Sequence, residues 1–99
     1  MIYHVAAQVD WLNAQPSGMY TPPAYAAEGF IHACKADQVK GVLERYYKDQ
    51  KGLVILHIEE SLLSAPYKFE FVERSNDEFP HIFGPINTTA VVGATLTDQ

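Results

Sequence analysis

The sequence predicts one small α+β domain spanning residues 1–99, and three observations carry that prediction. Apolar residues alternate with period two in several short runs, one stretch alone switches to the helical period, and Gly- and Pro-containing clusters separate the runs. A chain of 99 residues that is 47% hydrophobic can hide about 60–70% of its unfolded surface in one core, and two domains would not fit.

In chain order, Ile2 to Ala6 reads as a strand with Ile2, His4 and Ala6 on one face and Tyr3 and Val5 on the other. Asp10 is placed to cap a short helix through Trp11, Leu12 and Ala14, which Pro16-Ser17-Gly18 ends. Tyr20 to Tyr25 (YTPPAY) is expected to be extended, a semi-rigid wall carrying Tyr20 and Tyr25, because Pro22 and Pro23 restrict their neighbours and donate nothing to a ladder. Glu28 to Val39 (EGFIHACKADQV) is the centre of the chain: a strand with Phe30 and His32 on one face, then a turn, then a helix start. The main helix follows, since Val39, Val42, Leu43, Tyr46 and Tyr47 recur as one apolar stripe. Cys34 sits at the strand–helix junction, and its spacing to Asp37 is that of a capping box with a thiol in place of a hydroxyl.

Leu53 to Ile58 is an almost unbroken apolar run and reads as a buried central strand. After a turn at Glu59 to Leu63, Tyr67 to Val72 alternates strictly. Its face of Tyr67, Phe69 and Phe71 is expected to pack inward, and Lys68 and Glu70 to face solvent. Phe79 to Pro85 carries two prolines and is read as a short edge segment or ordered loop. Ala90 to Leu96 makes a last strand, and Thr97-Asp98-Gln99 a frayed end. The count is six short strands, one main helix and one short helix.

Composition narrows the function classes. The net charge is −5, and Arg45 and Arg74 are the only arginines beside five dispersed lysines, so no basic stripe follows a duplex phosphate backbone. No apolar run reaches the roughly 18 residues of a membrane span, and the first residues lack the pattern of a signal peptide. One cysteine makes no internal disulfide. The expectation is a cytoplasmic protein with neither a duplex nucleic acid nor a membrane as partner.

Four histidines carry the candidate chemistry. His57, inside the apolar run, is expected to be a neutral core imidazole bonded to a backbone carbonyl. His4, His32 and His81 come from three separate segments with tyrosines nearby, and together they suggest a pocket, with His4 and His32 lining it. Zinc is not expected: no two histidines have i, i+4 spacing and no Cys-x-x-Cys exists. Cys34 at a helix start is either a thiol of lowered pKa or a small core residue.

These residues carry a resemblance. Ile2-Tyr3-His4, Asp10-Trp11, Gly18, Tyr20, Glu28-Gly29-Phe30-Ile31-His32, Gln38-Val39, Phe79-Pro80-His81-Ile82-Phe83-Gly84-Pro85 and Ala90-Val91 resemble the bacterial family called domain of unknown function 952. That family is placed with the ADP-ribosyltransferase-like fold and is similar to its tRNA 2′-phosphotransferase branch. The resemblance implies a small, mostly antiparallel split sheet, a cleft between two small sheets, and NAD or an ADP-ribose-like nucleotide as the ligand. It further implies His4, His32 and Glu70 as catalytic residues, with Glu70 stabilising an oxocarbenium-like ribose, and Tyr20, Phe30, Cys34 and His81 as cofactor-binding residues. The phosphate-binding arginines of such transferases have no counterpart in a matching motif. The alternative function is a binding module for a ligand or protein that kept the cleft without the chemistry.

Overall fold

The computed structural model describes residues 1–97; the end expected to fray at Thr97-Asp98-Gln99 lies, apart from Thr97, outside them. The domain is α+β, as the periodicities require. Its elements are β1 (Ile2–Ala7), α1 (Gln8–Asn13), β2 (Met19–Tyr20), α2 (Tyr25–Glu28), β3 (Ile31–His32), α3 (Val39–Tyr46), β4 (Leu53–Ile58), β5 (Tyr67–Val72), β6 (Asp77–Ile82), β7 (Ile86–Asn87) and β8 (Val91–Leu96).

All described pairings are antiparallel, in three sheets ordered β1-β4-β8, β2-β7 and β3-β6-β5. The apolar run of β4 lies at the centre of the first sheet, as expected of a strand buried on both sides. Tyr3 and Cys34 exchange two backbone bonds of 2.8 and 2.7 Å, so β1 continues past its own sheet onto the chain leaving β3. The two larger sheets therefore form one bent surface. One face of it is the core: Ile2, Ala6, Ile31, Val54, Leu56, Ile58, Ile82, Ile86 and Ala90 pack there with Tyr20, and Trp11 from α1 covers them.

Local signals place several element ends. Asp10 falls in the first turn of α1 rather than at its cap, which is Ala7. In the single 3-10 turn Ala36–Gln38 that leads into the main helix, Gln38 Oε1 accepts from the Lys35 N–H at 2.8 Å, and the Cys34–Asp37 box does not form. The amide geometry of Gln38 does what a thiol does poorly. The wall expected at Tyr20 to Tyr25 is half right: Tyr20 is in a strand, but Tyr25 opens α2, which Gly29 ends at φ 80°. Only glycine takes that left-handed position without strain, and the turn shortens β3 to two residues.

Three expectations are corrected. Phe79 to Ile82 are no edge: they end β6, the middle strand of its sheet, with Pro80 fully buried, and only Phe83 to Pro85 form the expected loop. In an antiparallel strand a residue's N–H and C=O point at the same neighbour, and the Pro80 carbonyl accepts from Ala33 at 3.0 Å. The missing donor thus faces the end of two-residue β3, and the ladder to β5 keeps its bonds. Second, the aromatic face of β5 lies open. Tyr67, Phe69 and Phe71 are 37%, 43% and 58% exposed, because β5 is the outer strand and the core stops at β6. Third, His57 is half-buried on the face opposite Leu56, where its Nε2 meets the Thr95 hydroxyl at 2.8 Å instead of a carbonyl. Gly93 opposite it leaves the ring room, since a Cβ there would stand 3.4 Å from the imidazole.

Candidate functional site

The second face of the bent sheet forms the floor of a groove, and strand parity decides what lies on it. Tyr3 and Val5 alternate with the core residues of β1, Cys34 continues the line, and His32 and Phe30 follow at steps of two. α3 and the residue that caps its end supply one wall through Val42, Tyr46 and Tyr47, and Val72, Arg74 and Ser75 also line the cavity. The cavity measures about 640 Å³, within the usual range for small-molecule sites.

Its polar centre is a pair of imidazoles. His32 and His81 are direct partners in the β3–β6 ladder, so both rings stand on the same face, 5.5 Å apart between centroids and nearly perpendicular. Phe30 stacks on His81 at 4.3 Å and meets His32 edge-on at 4.7 Å. Each imidazole has its own carboxylate. His81 Nδ1–H donates to Glu70 Oε1 at 2.6 Å, and His32 Nε2–H donates to Glu28 Oε2 across the Gly29 turn. Glu70 is therefore not a free solvated carboxylate: it orients His81, which is 7% exposed, while His32 stands open to solvent.

His4 stands apart from this pair, correcting the expectation that it lines the groove with His32. It shares the core face with Ile2 and Ala6, 6% exposed, with its ring 5.7 Å from that of Tyr20. Burial lowers its pKa to about 4, against a smaller opposing effect of its bond to the His32 carbonyl, so it is neutral at pH 7. Its Nδ1–H donates to that carbonyl at 2.5 Å, and its Nε2 is buried with no partner among the described residues. His4 thus touches the site only through the backbone of His32. Tyr20 is likewise withdrawn: it is 2% exposed against Trp11 and His4, where burial raises its pKa, and it stacks on nothing in the groove.

Cys34 lines the groove but is no activated thiol. Burial pushes it up to about 11, because the backbone bonds to Tyr3 and the packing around it remove water while no cation replaces it. Tyr47 is shifted upward by burial in the same way. Among the described residues no three His, Cys, Asp or Glu side chains cluster to hold a metal ion. Sequence reasoning missed Arg74, Tyr46 and Tyr47. Arg74 belongs to a polar turn with no motif, and only the fold brings that turn to the groove; the tyrosines were legible as a helical stripe, though not as a wall of a cavity.

Residues 5–94 match the family described as Protein of unknown function (DUF952). The chain belongs to the DUF952 family. Its fold is similar to the crystal structure of protein CC0527 from Caulobacter crescentus, with a TM-score of 0.88 and 26% identity over 98% of this chain and 85% of that one. A double mutant of CC0527 gives the same values, and the solution structure of CC0527 gives a TM-score of 0.81 at 26% identity over 98% and 84% of the two chains. No curated protein matches this DUF952 chain. No helix among its described residues is long and apolar enough to cross a membrane.

Proposed function

We propose that this DUF952 protein binds a nucleotide-like small molecule in the groove, of the class to which NAD and ADP-ribose belong. The observation that carries the reading is the convergence of His32, His81 and Arg74 with the rings of Phe30, Tyr46 and Tyr47 in one cavity of about 640 Å³. The rings offer stacking faces for a base, Arg74 offers donors to phosphate oxygens, and the imidazole nitrogens not bonded to Glu28 and Glu70 offer acceptors to ribose hydroxyls. The volume accommodates a nucleotide. The ribosyl-transfer roles implied by the ADP-ribosyltransferase-like resemblance are supported less evenly. Phe30, His32 and His81 sit where a ligand would touch them, whereas His4 and Tyr20 are behind the floor and Glu70 is engaged by His81. Binding is accordingly the core of the proposal, and transfer of an ADP-ribosyl group is secondary to it.

With a net charge of −5, diphosphates are held weakly, in the range of about 10 μM to 1 mM. The test is a titration followed by amide chemical shifts, using AMP, ADP-ribose, NAD⁺ and inorganic phosphate. Shifts at Phe30, His32, Cys34 and Tyr46, weakened about tenfold or more in Arg74→Ala, are expected. The absence of any groove shift up to millimolar ligand overturns the reading.

A further inference from the structure

Beyond binding, the geometry points to a reaction: we propose that His32 and His81 are the general base and general acid of a phosphodiester hydrolysis, with a nucleoside 2′,3′-cyclic phosphate as the smallest natural type of substrate. The inference rests on the nucleotide reading of the groove. Three features of the groove carry it.

First, the two imidazoles are paired by ladder register, with ring centroids 5.5 Å apart on one face, so both can reach one phosphate lying over the floor of the groove. Second, each is oriented by its own carboxylate. Glu70 takes the Nδ1 proton of His81 and leaves Nε2 as its working nitrogen; Glu28 takes the Nε2 proton of His32 and leaves Nδ1. A single structural histidine needs one such partner. Two adjacent histidines with separate carboxylates, both in contact with the ring of Phe30, repeat the base-plus-orienter unit of proton-transfer catalysis. Third, Arg74 lines the same cavity and supplies the charge that a phosphoryl group in transfer requires on its non-bridging oxygens.

The roles follow from position: His32 stands open to the attacking water and is the base, and His81, whose protonated ring the Glu70 carboxylate balances, is the acid. A water oxygen attacks phosphorus while His32 takes its proton. The bond from phosphorus to one ribose oxygen breaks, its electron pair stays on that oxygen, and His81 Nε2 delivers the proton there. The product is a phosphomonoester with a free ribose hydroxyl. Solvent then carries the proton from His32 back to His81, and no other reactant is consumed.

Hydrolysis of 2′,3′-cyclic AMP is followed by ³¹P NMR, with bis(4-nitrophenyl) phosphate as a second probe and binding of 3′-AMP measured by amide shifts on the same samples. The groups surrounding the pair are the anions Glu28 and Glu70, Lys68 opposite His81 in the ladder, Arg74, and the hydroxyls of Tyr46 and Tyr47, with the un-ionised Cys34 thiol beside them. One imidazole must be neutral and the other protonated, so the rate traces a bell against pH. His32→Asn and His81→Asn each lower it by about 10²- to 10⁴-fold. Glu70→Gln and Glu28→Gln each displace one limb of the bell, which a merely structural loss does not do. His57→Gln, outside the groove lining, keeps the wild-type rate. His32 is exposed, so His32→Asn folds even if the buried His81 variant does not. Groove binding of 3′-AMP without hydrolysis of either probe overturns this inference and leaves the binding reading standing. Hydrolysis that His32→Asn leaves unchanged overturns it as well. No groove binding and no turnover refute both.

Discussion

His4 makes a measurable prediction about stability against pH. Its imidazole is buried on the core face, and its pKa is lowered from 6.5 to about 4 chiefly by that burial. The unfolded chain therefore takes up a proton below pH 6.5 that the folded chain refuses until about pH 4, so the stability associated with neutral His4 is present above 6.5 and drains away as pH falls. Between pH 7 and pH 5 the two titration curves separate by an amount equivalent to about 2 kcal/mol. Urea unfolding followed through Trp11, whose ring packs on Tyr20 at 5.9 Å, reads this directly. The shifted carboxylates and the N-terminal ammonium act outside this window. Glu60, lowered despite its burial by the bond from the N-terminal ammonium, and Asp77, lowered by the Gln38 amide, lose their contributions only in the carboxylate range below it. The N-terminal ammonium, raised by its bond to Glu60, contributes below its ordinary value of 8.0 and loses that as pH rises above it. The comparison is His4→Asn, whose side-chain amide keeps a donor near the position of Nδ1 but does not titrate. It is less stable than wild type at pH 7 and lacks the extra fall of about 2 kcal/mol between pH 7 and 5. Equal falls in the two proteins would refute the burial argument.

Two further outcomes follow from single side chains. Cys34, pushed up to about 11, reacts with a disulfide reagent at pH 8 at least about 100-fold more slowly in the folded protein than in urea; equal rates would show the thiol to be open and ionised. Asn87 accepts from the Ser64 N–H at 2.8 Å and donates to the Leu62 carbonyl at 2.9 Å and the Thr89 hydroxyl at 2.8 Å, tying the turn before β5 to β7. Asn87→Ala strands buried partners and should cost about 1–3 kcal/mol in urea unfolding without moving groove ligand shifts, and a loss below about 0.5 kcal/mol would contradict that.

Most of the strand and helix bounds were legible because they rest on local periodicity. β1, β4, β5 and α3 fall within a residue or two of the runs that predicted them, and the two-residue β2 and β7 have no such run to read. Pro80 misled in the usual direction: a proline argues against a middle strand unless its missing donor happens to face a strand that has ended, and sequence does not say which neighbour it faces.

The site divides in the same way. The chain alone determined that Phe30 and His32 share a face and that His4 lies on the side of Ile2 and Ala6. Tertiary structure decided which of those faces is buried and which is open. Register between strands some fifty residues apart set His81 opposite His32, the Tyr3–Cys34 bridge joined two sheets into one floor, and the docking of α3 turned that floor into a groove. Parity is a property of each strand and survives in the sequence. Pairing is chosen by the burial of Ile31 against Ile82 and of β1 against β4, a balance summed over the whole core, so it is absent from any local pattern.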